Sequence, residues 1–483
     1  MANKPNSLYI HIPFCEHVCS YCDFTKLFYN QKYEKPYLDS LENEIKSKVS
    51  NKVTTLYFGG GTPTALSDKG FERILTFAKQ YLRSDYEFTV EANVENLTES
   101  KLDIMKKCGV NRLSIGVQST CNTLLKEIGR HHTFEEAQKI VFLAKSKGFN
   151  NINIDLIYGF KNEALNDLKK DLEEFIKLDI DHISIYSLIV DKGSILYNQK
   201  YKEQEESESR KFYEFIVSFL REHGYERYEI SNFARNHKYS RHNLTYWHNE
   251  EYYGCGLGAS GYVGGVRYEN TKSLPEYLKG NIISSKEIVG EKELEEYFLL
   301  TNLRLENGFL KADYKAQFGI DFEEKYNSKI YYFSLSKYFD FSNNRVRLTD
   351  EGLILMDFIL LKLLWLALFE CKCLTLSLSL FRISYKRRVH MGKGLKIAGL
   401  ILGILGIISA FIGFAVPILA ILGLPMSITG LVLSCVGQKK GSSGLGIAAL
   451  VLSIIAVVFT AITFFTCGLC VLCVAGAAAS QGA

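Results

Sequence analysis

The sequence predicts an α/β protein: a parallel sheet, then a small, mainly helical domain, then a helical membrane tail. Three observations predict it. Six short β-branched and aromatic runs alternate with longer periodic segments across residues 8–190, the order expected of parallel strands joined by right-handed crossovers. Residues 291–360 read as mostly helical. From Ile397 to Val436, and again from Gly441 to Ala483, no residue is charged, which is a membrane-like composition.

The candidate strands are LYIHI (8–12), TTLYFGG (54–60), EFTVEAN (87–93), RLSIGVQ (112–118), NINIDLIYG (151–159) and HISIYSLIV (182–190). Helical patterns lie between them at roughly 33–48, 68–82, 98–108, 133–147 and 164–178, with a further helix at 203–223. In the first, Tyr37, Leu41 and Ile45 recur every four residues, which places them on one helix face. Such a sheet is either doubly wound or curved towards a barrel. A Gly- and aromatic-rich stretch follows at 225–268. A short strand pair is expected within YYFSLSKYFDFSNNRVRLT, and Thr349 is placed to cap an apolar helix. The expected domains are 1–225, 226–290 and 291–364, then a linker at 365–390 and the tail at 391–483.

The 483 residues allow two or three domains. A net charge of +4 with 23% charged residues is too balanced to imply nucleic acid. Twelve cysteines are too few for a disulfide scaffold of this length. Met1 to Ser7 is polar and lacks the apolar core of a secretory signal. A reducing cytoplasm is expected, where clustered cysteines more often mean metal than disulfide.

FCEHVCSYCDF places Cys15, Cys19 and Cys22 in a C-x3-C-x2-C pattern just after the first strand. A structural zinc site takes four protein ligands, usually as two separated pairs. The next cysteines, Cys108 and Cys121, are far along the chain. Three cysteines on an iron–sulfur cluster leave one iron open, and Phe14, Tyr21 and Phe24 are expected to wall that cluster from water. Zinc and incidental cysteines stand as the alternatives.

The cysteine pattern, followed by GGGTPT (59–64) after the second strand, resembles the radical S-adenosylmethionine (SAM) family. The resemblance is closer to the branch that holds oxygen-independent coproporphyrinogen III oxidases and heme chaperones of the HemW type. It runs through YIHIPFC, EAN (91–93), RLSIGVQS, IGRHH (128–132), DLIYG, YEISNFA (228–234), SRHNLTYW (240–247) and GLGASGY (256–262), and covers about residues 7–364. It implies a partial or complete parallel (β/α) barrel and a [4Fe-4S] cluster on Cys15, Cys19 and Cys22. It also implies SAM on the open iron, cleaved to a 5′-deoxyadenosyl radical by one electron from the cluster. The SAM contacts it implies are Tyr9, Phe24, Gly60, Gly61, Thr62, Glu91, Gln118, Arg130 and Asp155. Gly59 joins the turn, whose glycines allow a close backbone approach. Arg130 is the expected partner of a SAM carboxylate. Taken singly, these residues read as a tight turn, strand-end polar groups and a surface cation.

Two relatives share the motifs but not the job. The oxidase has an extension before the cluster and a further cysteine two positions after the third. Here the chain starts close to the cluster, and that position is Phe24. Both departures point to a HemW-type chaperone that binds heme and transfers it to acceptors such as respiratory enzymes, with an electron donor for the cluster. The alternative is a coproporphyrinogen III dehydrogenase of porphyrin biosynthesis. A third reading is a membrane-anchored binding protein without turnover. The resemblance puts the heme-binding histidine at His242, with Tyr246 and Trp247 able to pack on a porphyrin face. The other reading of His242 is a buried structural residue bonded to a backbone carbonyl. The family's Leu-Pro-Gly after DLIYG is Phe160-Lys161-Asn162 here.

The resemblance stops near Leu364. At Met391 a new pattern begins that resembles small membrane proteins of the DUF4190 type, with 397–410 partly echoed at 447–461. Spans are expected near 397–416, 418–436 and 445–470, with the basic residues from Lys386 to Lys396 and Lys439–Lys440 on the cytoplasmic side. Two fused reading frames with Met391 as a former start are the expected origin. An intact mass ending near Leu364 would contradict the fusion. Cys467, Cys470 and Cys473 are expected to be packing residues.

Overall fold

The computed structural model describes residues 4–365 and 453–456. The chain divides into two units, Met1–Leu368 and Phe369–Ala483. In the second, only the helical turn at 453–456 is described. Among the described residues no helix is long and apolar enough to cross a membrane. The expected spans at 397–416, 418–436 and 445–470 lie outside the described residues, apart from that turn.

The first unit is built on six strands: β1 (Ser7–Ile12), β2 (Val53–Gly60), β3 (Leu82–Asn93), β4 (Arg112–Gln118), β5 (Ile152–Tyr158) and β6 (His182–Ser187). Between them run α1 (Gln31–Lys48), α2 (Asp68–Lys79), α3 (Glu99–Cys108), α4 (Asn122–Glu127), α5 (Phe134–Ser146) and α6 (Leu165–Lys177). After α7 (Glu206–Glu222) come β7 (Glu226–Glu229), β8 (Asn232–Ala234), α8 (Arg241–Trp247) and β9 (Tyr253–Cys255). The nine strands form one sheet in the order β9-β1-β2-β3-β4-β5-β6-β8-β7. Its members from β9 to β6 are parallel, and β8 and β7 are antiparallel.

β1 to β6 lie side by side in chain order, so right-handed crossovers lay every helix on the same face. That excludes the doubly wound alternative, which needs a reversal of strand order. The sheet is open between β9 and β7, so of the two barrel forms the partial one is observed. The stretch set apart at 226–290 is not separate from the core, because it supplies strands to both sheet edges.

Alternation along the strands separates the two faces. Leu8, Ile10, Leu56, Phe58, Val90, Leu113, Ile115, Ile154 and Ile183 are buried in one core with Leu41, Ile74, Leu102, Val141 and Leu172 of the helices. The residues between them on the strands are Tyr9, His11, Thr55, Tyr57, Thr89, Glu91, Arg112, Ser114, Asn153, Asp155, His182 and Ser184. A sheet covered by helices on both faces reads as continuous apolar runs. Here one face is polar, and it lines the interior where a site can form.

Polar side chains cap the crossover helices, satisfying backbone N–H groups of the first turn. Asn30 caps α1, Ser67 caps α2, Thr98 caps α3, and Thr133 with Glu136 forms a capping box on α5. β3 begins five residues earlier than its apolar pattern, because Leu82 already pairs with Val53 before a register shift. A second core holds Phe298, Tyr314, Phe322, Val346, Leu353 and Ile359. The expected strand pair there is Phe339–Asp340 with Arg345–Leu348, and Thr349 caps its helix on the Gly352 N–H at 3.2 Å.

Candidate functional site

The cysteine loop hangs from the end of β1. Phe14–Cys15 pairs in parallel with Leu27–Phe28. The Leu27 N–H donates to the Pro13 carbonyl at 2.7 Å and the Tyr29 N–H to the Cys15 carbonyl at 2.8 Å, which closes the loop. The loop is also tied to its surroundings, with the Ser20 N–H on the Ile128 carbonyl at 3.0 Å and the Leu196 N–H on the Ser20 carbonyl at 2.9 Å. Lys26 Nζ donates to the Cys22 carbonyl at 2.6 Å. Cys15 is buried, and Cys19 and Cys22 are half-buried.

Donors are aimed at two of the three sulfurs. The Thr62 hydroxyl lies 3.6 Å from Cys15 Sγ, and Arg130 Nη1 lies 3.5 Å from Cys19 Sγ. Asn93 joins them, donating from Nδ2 to Thr62 Oγ1 at 2.9 Å and accepting at Oδ1 from Arg130 Nη1 at 3.0 Å. Burial pushes the Cys15 thiol up to about 11, against the pull of the Thr62 hydroxyl. Burial also raises Cys22, with Lys26 pulling it down. Thiols of this kind release their protons when metal binds. Among the described residues no three His, Cys, Asp or Glu side chains converge as ligands of a single ion. A cubane spreads its cysteines over separate irons, and the donor-flanked sulfurs fit one.

The glycine turn presses on the end of β1. Gly60 has φ +113°, and a Cβ there would come within 2.5 Å of the His11 ring. A Cβ on Gly61 would come within 2.7 Å of the Pro13 carbonyl. The glycines are therefore demanded first by the protein's own packing. The Gly60 N–H donates to Glu91 Oε2 at 3.2 Å and Tyr57 donates to Oε1 at 2.7 Å. Burial raises Glu91 to about 7 against those bonds. Asp155 is raised to about 6, again by burial, although Asn153 donates to it at 2.8 Å. Gln118 adopts φ +76° at the end of β4, an uncommon conformation for a residue with a side chain. It folds the amide back, with Nε2 2.8 Å from where a Gly116 Cβ would stand.

Arg130 is buried and heavily engaged. Its Nη2 reaches Glu95 at 3.2 Å and the Gly116 carbonyl at 2.5 Å, while Nε has no partner. Burial alone would raise Glu95, but a hydrogen bond from His132 and the Arg130 charge hold its carboxyl down at about 2. One expectation is corrected. Phe14 is buried, but the Phe24 ring is 67% exposed rather than packed over the loop. It follows the last cysteine of the loop and borders a cavity instead.

His242, on α8, packs against the middle of β1 and β2, at Tyr9, Thr55 and Tyr57. Its ring stacks on Tyr57 at 5.0 Å and lies 6.4 Å from Tyr9. It is 1% exposed. Nδ1 shares a hydrogen bond of 2.8 Å with Thr55 Oγ1, and Nε2 one of 2.8 Å with the Tyr246 hydroxyl. Burial, aided by the Arg112 charge, lowers its pKa to about 3, so the ring is neutral. His242 is buried, as the structural reading expects, but its ring partners are two side-chain hydroxyls and not a backbone carbonyl. Trp247 packs under the Arg304 guanidinium, 4.5 Å from the ring centroid.

Gly60 and Gln118 end β2 and β4, whereas Glu91 lies two residues before the end of β3 and Asp155 is in the middle of β5; with Thr62 and Arg130 they share the polar interior with the cysteine loop. Sequence reasoning missed Asn93, Glu95 and Arg112. Asn93 stands two residues after Glu91 on the same strand face, a signal that the alternation of β3 already contains. Arg112 is fully buried, and its Nε has no partner. Nothing in RLSIGVQ marks it as inward-facing except its place two residues before Ser114.

Comparison with known proteins follows the same division. The profile of the Radical SAM superfamily matches residues 9–175, and that of the HemN C-terminal domain matches residues 291–355. The heme chaperone HemW of Lactococcus lactis is 38% identical over 361 residues, spanning 73% of this chain and 95% of that protein. HemW of Bacillus subtilis is 36% identical, spanning 72% and 96%. The coproporphyrinogen III oxidase HemN of Escherichia coli superposes with a TM-score of 0.67 at 22% identity, over 75% of this chain and 90% of that one. At that identity the likeness speaks for the fold alone.

Proposed function

Because this chain belongs to the HemW heme chaperone family of radical SAM proteins, we propose that it binds heme and hands it to heme-dependent acceptors. We assign a [4Fe-4S] cluster to Cys15, Cys19 and Cys22 and SAM to the adjoining strand ends. The observation that carries this reading is the connected line from Cys15 through Thr62, Asn93 and Arg130 to Cys19. It ties two sulfurs to the glycine turn and to the ends of β3 and β4, so that one rigid frame holds both ligand sets.

When bound, the cluster supplies an open iron position and single electrons. The chain's own residues do the rest. Glu91 takes the amino end of SAM when ionised, steered by Tyr57 and the Gly60 N–H. Arg130 has its unpartnered Nε for the SAM carboxylate, with Asn93 and Glu95 fixing the plane of the guanidinium. Gln118 and Asp155 take the nucleoside side. Acceptors such as respiratory enzymes, an electron donor and a membrane tether through the tail belong to the same reading, with the chaperone domain in the cytoplasm.

The test is turnover by the full chain, reconstituted with iron and sulfide without oxygen and given SAM, a reductant and coproporphyrinogen III. The expected result is no protoporphyrinogen above the control without SAM. Product would make the chain a coproporphyrinogen III dehydrogenase and overturn the chaperone reading.

A further inference from the structure

Two histidines follow Arg130 in the chain, and the fold treats them differently. His132 is buried, with Nδ1 sharing a hydrogen bond of 3.0 Å with Glu95 Oε1. His131 is exposed, and its ring lies against that of His17, with centroids 3.8 Å apart and planes 26° from parallel. His17 is exposed as well, and it stands in the cysteine loop between Cys15 and Cys19. Among the described residues, neither ring makes a hydrogen bond or an ion pair; the bond that His131 does make comes from its main chain. The cluster and SAM assignments use neither histidine.

The backbone fixes where both rings are rooted. The His131 N–H donates to Glu95 Oε1 at 3.0 Å, and the Ser20 N–H to the Ile128 carbonyl at 3.0 Å. At Gly129, which has φ +79°, a Cβ would stand 3.5 Å from the Ser20 nitrogen and from the Val18 carbonyl oxygen. The two segments therefore touch along their backbones, and the histidine pair spans the seam between them. Imidazole nitrogen is a donor that suits zinc and its transition-metal neighbours rather than magnesium or calcium. Two imidazole nitrogens, each about 2.0–2.1 Å from zinc at a tetrahedral angle, stand about 3.4 Å apart. That is close to the stacking distance of 3.8 Å. Binding asks the rings to splay about their own side-chain bonds, which their exposure allows, and leaves the backbone in place.

We propose that His17 and His131 bind one divalent ion of the zinc class, and that this ion clamps the cysteine loop to the segment that carries Arg130. Among the described residues no set of three His, Cys, Asp or Glu side chains converges here, so water completes the coordination, as at the open position of a zinc site. The ion exchanges two of its waters for two imidazole nitrogens, and no electron is transferred. The place of the clamp gives it consequence. Arg130 Nη1 lies 3.5 Å from Cys19 Sγ, so the two clamped segments supply groups to one and the same point. The site goes beyond the heme-carrying reading and does not depend on it.

The test is calorimetric titration of Zn²⁺ into the full chain, reconstituted with iron and sulfide so that the loop cysteines are occupied, with X-ray absorption at the zinc edge. Wild type is expected to bind the ion with nitrogen and oxygen neighbours at about 2.0–2.1 Å. H17Q and H131Q are each expected to lose about tenfold or more in affinity. H237Q, at an exposed histidine beside Glu226, is expected to bind as wild type does. Zinc is also expected to slow amide hydrogen exchange at 16–22 and 128–132 in wild type and not in H17Q. Unchanged affinity in H17Q and H131Q would overturn the site, as would sulfur neighbours at about 2.3 Å, which place the ion on cysteines. Zinc bound by the histidines with unchanged exchange would overturn the clamp. Acid-labile sulfide in the same sample reports the cluster separately, so a failed cluster assignment is told apart from a failed zinc site.

Discussion

The cysteine loop and the His242 pocket stand on the same two strands, β1 and β2, yet they are built in opposite ways. Around the loop, bonding capacity is left over: the Thr62 hydroxyl and the Arg130 guanidinium point at sulfurs, and Arg130 Nε has no partner. Around His242 it is used up, with Thr55 on one ring nitrogen, Tyr246 on the other and Tyr57 across the face. The loop is organised for a ligand, whereas the pocket is complete as it stands. A motif residue is therefore not automatically a contact. Its role depends on whether the fold has already satisfied it.

Substitutions sharpen that contrast, and the largest effect belongs to the loop. Cys19→Ala should drop iron and acid-labile sulfide after reconstitution to background, while Cys255→Ala in the buried core leaves them unchanged. Full incorporation in Cys19→Ala would break the assignment. Arg130→Gln comes next. It strips a buried partner from Glu95 and should cost about 3 kcal/mol in chemical denaturation, with SAM binding reduced as well. His242→Ala should cost about 2–3 kcal/mol by orphaning two hydroxyls and opening a cavity, without lowering cluster content. A His242→Ala chain as stable as wild type would mean the pocket is not the closed unit described.

Glu91 gives a pH signature. Burial raises it to about 7 from an ordinary value of 4.5. The folded chain then holds a proton that the unfolded chain releases. Stability contributed by Glu91 is fully present below about 4.5 and is lost as pH rises through about 7. Under the proposed assignment of Glu91 to the SAM amino group, binding runs the other way, because it needs the carboxylate. SAM affinity should fall by roughly tenfold per pH unit below about 7, and Glu91→Gln should flatten that slope. Calorimetric titration from pH 6 to pH 8 reads both chains. The smallest effect is Phe24→Ala, which should change stability by less than about 0.5 kcal/mol, since its ring is exposed. A larger loss would mean that Phe24 packs on the loop after all.

Much of the fold was legible because the alternation along β1 to β6 is strict and the crossover helices carry capping residues at their starts. Ser67, Thr98 and Thr133 each accept a hydrogen bond at the start of their helix, and the helical patterns begin within a residue of them. The sheet edges were not legible. β7, β8 and β9 are three or four residues long and owe their existence to partners far along the chain. The start of β3 was hidden by Arg83 and Asp85, polar residues in an extended segment. At the site, the cysteines and the glycine turn announce themselves by spacing. The burial of His242 and the exposure of Phe24 do not, because both depend on which neighbours the folded chain brings to them. Asn93 and Arg112 show the same limit from the other side. They are polar residues whose importance appears only when β3 and β4 lie next to each other.

The central claim is that the chain carries heme and gives it away. The most direct measurement loads the full chain with heme, mixes it with the apo form of a heme-dependent respiratory enzyme, separates the two and follows heme absorbance and acceptor activity. The account predicts that heme leaves this chain and the acceptor becomes active. Heme that stays bound, or a chain that never loads, would contradict it.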